Sequence, residues 1–138
     1  MSEAPSYQIS FYYRRILVPV DGSENSLKAL DFALDLARHY GSRVIIVHAK
    51  PKGKARSDPY ERVKQRIRRE SLSVEYKTIE YDPLSDSCSS AILREIIEGG
   101  YDAIVLGARG LSLTTDIPVG STALSLVVNS PVSVFVIR

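Results

Sequence analysis

The stretch Ala103 to Thr122 reads AIVLGARGLSLTTDIPVGST. It opens on an apolar run, Ala103-Ile104-Val105-Leu106, and ends where an apolar helical pattern begins. Between them stand Gly107, two residues, Gly110, nine residues and then Gly120-Ser121. Glycine admits positive φ and lets a ligand come close to the backbone. A Gly-Ser-Thr step opening a helix leaves first-turn N–H groups without intrahelical acceptors. Those groups and the helix dipole together form an anion site, most often for phosphate. A glycine-rich turn followed by an ordinary Ser N-cap has the same spacing, so spacing alone leaves both readings open. Strand, loop and helix in that order are one unit of an alternating α/β chain.

The chain upstream repeats the unit. Residues 14–20, Arg-Arg-Ile-Leu-Val-Pro-Val, read as a strand buried on both faces, with Pro19 near its end. Asp21-Gly22-Ser23 breaks it, and Ser23, Asn25 and Ser26 offer caps for a helix reaching about Tyr40. Leu27, Leu30, Leu34 and Ala37 lie on one face of that helix, beside Ala33, Leu36 and Tyr40. Gly41 is a fitting stop. Residues 43–49 form a second buried strand, where His48 reads as a packed or hydrogen-bonded core histidine, since no second metal ligand is in reach. Lys50 to Lys54 read as an exposed loop, and Asp58-Pro59 starts a helix with Val63 and Ile67 as its apolar stripe. Residues 73–81 alternate and suit an edge strand. Asp86 or Ser87 caps a helix over 88–98 that carries Ala91, Ile92, Ile96 and Ile97, and Gly99-Gly100 ends it. Cys88 reads as a structural first-turn residue. After the glycine loop a helix from about Gly120 to Asn129 turns Ala123, Leu126 and Val127 inward, Pro131 ends it, and 132–137 form the last strand. Residues 1–13, ending in Phe11-Tyr12-Tyr13, read as an arm before a single domain at 14–138.

Composition narrows the function classes. The chain has 138 residues, 44% apolar and 25% charged, with net charge +2. That is an ordinary globular balance, with no global demand for a polyanionic partner. A single cysteine excludes an internal disulfide and a cysteine-rich zinc site. No apolar run has the length to span a bilayer, and the start lacks the pattern of a signal peptide. The expectation is a cytoplasmic protein without membrane or nucleic-acid partners. Charge is uneven, however: nine of the 18 Lys and Arg fall between Lys50 and Arg69. This segment is either a patch for phosphates, nucleic acid or an acidic partner, or a solvated helix face. The second reading is favoured, because no aromatics interleave the charges from Arg62 to Arg69.

Strands alternating with helices imply a parallel sheet covered on both faces. Placing 14–20 beside 103–107 at the centre predicts an open five-stranded sheet in the order 3-2-1-4-5. Ligands of such sheets bind at the carboxyl ends of the strands, where the order reverses. Asp21 and the Gly107–Gly110 turn then meet at one crevice.

These residues resemble the universal stress protein family, over essentially all of Arg14 to Arg138. The most specific part, Gly107-x2-Gly110-x9-Gly120-Ser121, is similar to that family's ATP-binding signature. Ile16-Leu17-Val18-Pro19-Val20-Asp21-Gly22-Ser23 is similar to its first strand and turn, and Val47-His48-Ala49 to the end of its second strand. The resemblance implies a Rossmann-like fold of the adenine nucleotide alpha hydrolase type. It implies that Asp21 faces ribose or adenine, and that backbone at Val20 and Ala49 lines the adenine pocket. It implies that Gly107, Gly110, Gly120, Ser121 and Thr122 hold ribose and phosphates; Pro19, Leu106 and Arg109 complete the expected nucleotide-binding set. It further implies a homodimer through the strand 132–137, an apolar edge that also invites pairing on physical grounds. Two features depart from the family: the short basic segment between the second and third strands, and the long aromatic arm before Arg14.

The loop is neither a Walker P-loop, since no Gly-Lys-Ser/Thr follows it, nor a dinucleotide fingerprint. No Ser-His-Asp set or carboxylate pair stands at a telling spacing. Asp116 either helps hold Mg²⁺ or stabilises the loop as an Asx residue. Arg109 either screens a phosphate or points to solvent, and Ser121 either contacts phosphate or caps its helix. The expectation is an ATP-binding regulatory, stress-response protein that uses Mg²⁺ and alters a partner surface through nucleotide occupancy, with at most weak ATP hydrolysis. The alternatives are a slow ATPase or phosphotransferase at the same site, or a non-nucleotide interaction module using 50–69.

Overall fold

The computed structural model describes residues 13–53, 58–67, 73–109 and 120–138. The elements run β1 (Arg15–Pro19), α1 (Glu24–Tyr40), β2 (Arg43–Pro51), α2 (Tyr60–Ile67), β3 (Val74–Tyr81), α3 (Cys88–Gly99), β4 (Ala103–Gly107), α4 (Ser121–Asn129) and β5 (Ser133–Ile137). The strands form one parallel sheet in the order β3-β2-β1-β4-β5, as the alternation of elements and the central placing of 14–20 beside 103–107 predict.

Strand periodicity divides the core. Successive residues of a strand point to opposite faces, so Ile16 and Val18 of β1 pack with Leu27, Leu30 and Leu34 of α1 and Val63 of α2. Leu17 packs on the other side with Ile92 and Ile96 of α3 and Ala123 and Leu126 of α4. Helices α1 and α2 thus share one face, and α3 and α4 the other. Right-handed crossovers require this once the chain builds outward from β1 in both directions. The outgoing connections of β1 and β4 therefore leave toward opposite faces, which opens a crevice between them.

Local signals end the helices as expected. Ser23 caps α1, its hydroxyl accepting from the Ser26 N–H at 3.2 Å, and Ser87 caps α3 in the same way. Gly41 and Gly100 close α1 and α3. Four expectations need correction. Strand β2 extends to Pro51, because Lys50 and Pro51 stay in register with Glu80 and Tyr81 of β3. Gly120, not Ser121, is the N-cap of α4, and no side chain bonds there. Val127 and Ile97, expected to face inward, are 42% and 67% exposed. In α4 the sheet takes only the Ala123/Leu126 side. Leu124, Val127 and Val128, spaced by three and four, form a second apolar stripe on the outside.

Among the described residues, no helix is long and apolar enough to cross a membrane. The arm before Tyr13 lies outside the described residues. Tyr13 itself packs against Tyr40 (centroids 5.2 Å apart) and Phe135 (6.1 Å).

Candidate functional site

At the carboxyl ends of β1 and β4 the sheet holds a crevice of about 800 Å³, within the range of small-molecule and cofactor sites. Pro19, Val20, Asp21, Ala49, Leu106, Gly107, Arg109, Gly120, Ser121 and Thr122 all line it. Residues far apart in the chain therefore converge on the point where the strand order reverses. Gly110 and Asp116 lie outside the described residues.

The first wall comes from β1, β2 and α2. Gly22 turns the chain out of β1 at φ +87°, a conformation that side-chain-bearing residues rarely adopt. Asp21 Oδ1 accepts from the Ser23 N–H at 2.9 Å, which stiffens that turn. Val20 has both backbone groups engaged: its N–H donates to the Val47 carbonyl at 2.9 Å, and its carbonyl accepts from His48 Nδ1 at 3.1 Å. A carbonyl can only accept, so Nδ1 carries the proton. His48 is buried and hydrogen-bonded, as expected, yet it also lines the crevice.

Residues that sequence reasoning passed over line the crevice too: Asp58, Pro59 and Arg62 complete this wall, and Tyr81 at the end of β3 and Cys88 at the start of α3 also face it. Arg62 donates to the Gly22 carbonyl and pairs with Glu24 at 3.2 Å, so the start of α2 covers the turn after β1. Asp58 Oδ1 accepts from the Tyr76 hydroxyl at 2.7 Å and from the Tyr60 N–H at 3.1 Å. The Tyr76 bond is the main reason its carboxyl stays below the usual value. Burial first, and then the carboxylate it faces, push the Tyr76 hydroxyl well above its ordinary value. The Asp58-Pro59 dipeptide was legible as a helix start; that it returns over Gly22 was not.

The second wall comes from β4 and α4. Here several backbone donors are already committed. The Ala108 N–H donates to the Ile137 carbonyl at 2.8 Å, the Gly120 N–H to the Ala108 carbonyl at 2.6 Å, and the Arg109 N–H to Asn25 Oδ1 at 2.6 Å. Gly107 is needed for close packing: a Cβ there would stand 2.8 Å from Asn25 Oδ1 and 2.9 Å from the Asn25 carbonyl oxygen. The first turn of α4, at Ser121, Thr122 and Ala123, remains the described source of anion-facing N–H groups. The crevice thus sets carboxylates, Asp21 and Asp58, on its first wall against a helix N-terminus on its second. The first suits donors such as hydroxyls, the second an anion.

Described residues of the basic segment have partners within the fold. Arg66 reaches Asp31 at 2.5 Å and Glu24 at 3.2 Å, and Lys64 lies over the Tyr60 ring. Among the described residues, no group of three or more His, Cys, Asp or Glu is placed to hold a metal ion.

Sheet and crevice together define an open parallel α/β protein with its crevice at the switch point, where proteins of this class bind ligands. The chain belongs to the universal stress protein family, whose sequence profile matches residues 12–138. It is 29% identical over 136 residues to the universal stress protein in the QAH/OAS sulfhydrylase 3′ region of Thermus aquaticus, covering 91% of this chain and 99% of that one. Its fold matches a universal stress protein from Archaeoglobus fulgidus in complex with dAMP, at 25% identity and a TM-score of 0.68, covering 92% and 99% of the two chains. It also matches a universal stress protein in complex with cAMP, at 21% identity and a TM-score of 0.70, covering 92% and 98%.

Proposed function

We propose that this protein binds an adenine nucleotide in the switch-point crevice and acts as a regulatory, stress-response protein through nucleotide occupancy. The observation that carries this reading is the pairing of walls: carboxylates at Asp21 and Asp58 beside the free N-terminal turn of α4, across about 800 Å³. A nucleoside offers hydroxyl and amine donors to the first wall and a phosphate to the second. That two structural neighbours are complexes with dAMP and with cAMP supports an adenine nucleotide as the class of ligand. Ser121 and Thr122 receive the first phosphate in this reading. For ATP, the further phosphates and Mg²⁺ fall to the loop around Gly110 and Asp116. The protein works in the cytoplasm as a homodimer joined along the open edge of β5, where Val136 is 36% exposed.

Calorimetric titration of nucleotide-stripped protein with AMP, and separately with Mg-ATP, tests it. Saturable binding of either, weakened at least tenfold by Gly120→Val and by Asp21→Asn, is expected. Folded protein that binds neither overturns the nucleotide reading. Binding of AMP alone overturns only the assignment of ATP.

A further inference from the structure

Asn25 is the second residue of α1, and its side chain lies at the root of the glycine loop. Its Oδ1 accepts from the Arg109 N–H at 2.6 Å, and its Nδ2 donates to the Ile137 carbonyl at 3.1 Å. The same Ile137 carbonyl accepts the Ala108 N–H at 2.8 Å, and the Ala108 carbonyl accepts the Gly120 N–H at 2.6 Å. One amide therefore joins three things: the exit of β4, the end of β5 and, through Ala108, the N-cap of α4. Gly107 lets α1 come close enough for this, since any Cβ would meet Asn25. Lys28, one turn along α1, adds a bond to the Arg138 carbonyl at 2.9 Å. On the crevice side, Asp21 and Ser23 brace the same helix start.

We infer that Asn25 is a positioning residue that sets the loop root for the ligand and couples occupancy of the crevice to the hold on the end of β5. This rests on the nucleotide reading above. An amide suits the task because it donates and accepts at once; a carboxylate of the same shape would keep the bond to Arg109 and face the Ile137 carbonyl with an acceptor. A nucleotide on the first turn of α4 steadies Gly120, hence Ala108, hence the Ile137 carbonyl that Asn25 also holds. Coupling between two sites is reciprocal and is carried by an element both of them bias. The shared carbonyl of Ile137 is that element.

Amide exchange read by NMR at Ala108 and Arg109, with and without AMP, alongside AMP titration, tests this in wild type, Asn25→Asp and Asn25→Leu. In wild type, AMP slows exchange at both amides at least fivefold. Asn25→Asp keeps Arg109 protected and AMP affinity within threefold, but AMP no longer slows Ala108. Asn25→Leu exposes Arg109 to fast exchange and weakens AMP at least tenfold, with far-ultraviolet dichroism unchanged. If Asn25→Leu does not fold, the Asn25→Asp pattern alone decides. Variants that bind AMP and protect Ala108 as wild type does overturn the coupling. A wild-type protein that protects both amides but binds no AMP refutes the nucleotide reading, and the coupling with it.

Discussion

The Tyr101 hydroxyl donates to Glu95 Oε2 at 2.7 Å, and Lys77 Nζ reaches the same oxygen at 2.8 Å. This small network ties α3 to the start of β4 and to β3. Burial, the largest effect, would raise the Glu95 carboxyl, but the Lys77 and Tyr101 bonds together outweigh it and hold the carboxyl below its usual value of 4.5. A carboxyl with a depressed folded value contributes stability that is complete above its unfolded value and is lost as pH falls through the folded one. Stability should therefore decline as pH drops below about 4.5. Glu95→Gln should make that decline shallower while lowering stability at neutral pH. Urea denaturation from pH 3 to 7 checks it: an unchanged slope in the variant refutes the assignment. Tyr101→Phe, which removes one bond to a charged acceptor, should cost about 1.5–3 kcal/mol at pH 7.

Gly107→Ala should destabilise by about 1–3 kcal/mol, the usual cost of overpacking. The added methyl meets the main chain of α1 at Asn25 as well as its side chain, and a helix backbone cannot move aside as a side chain can. Urea denaturation of the variant measures the loss; wild-type stability would show that α1 shifts freely and would remove the packing reason for this glycine.

Arg66→Glu should cost about 1 kcal/mol, since exposed pairs are worth little individually but reversal sets three acidic groups together. Its guanidinium pairs with Asp31 and Glu24 in the folded protein. The cost should shrink as salt rises. Denaturation at low and at high ionic strength checks this, and a cost independent of salt would point to lost packing of the Arg66 stem against α1.

Val136→Asp should leave the protein folded and monomeric if two copies meet along β5. The residue stands at the open edge of the sheet and is partly exposed, and a charge on an edge strand discourages pairing. Sedimentation of wild type and variant at the same concentration decides; a wild-type monomer removes the dimer.

Much of the fold was legible because it is written in local periodicity. Runs such as Ile16-Leu17-Val18 and Val44 to Val47 admit little but buried parallel strands, and Ser23, Gly41, Ser87 and Gly100 punctuate the helices by chemistry that acts within a few residues. Strand order followed from those strands and the handedness of crossovers. The convergence of Asp21 and Gly107 on one crevice followed from the strand order, and that of Gly120 from the glycine-loop motif.

Other features exist only across the fold. Asn25 reads in sequence as one of several capping residues, yet its amide spans to Arg109 and Ile137, 84 and 112 positions away. Gly107 was read as a glycine that lets a ligand approach; only the tertiary structure shows that α1, at Asn25, is packed against it. Val127 and Ile97 share the periodicity of core residues but face outward, because a helix lying on a sheet buries one stripe and the sheet decides which. Asp58 and Arg62 stand in a segment read as a helix start within either a basic patch or a solvated face, and they reach the crevice because α2 docks over Gly22. The sequence by itself determined the elements, their order and the crevice where that order reverses, since these follow from short-range sterics, hydrophobic period and the handedness of crossovers. The tertiary structure alone decided which donors stay open and which side chains brace the site, because a hydrogen bond depends on where two distant groups come to rest.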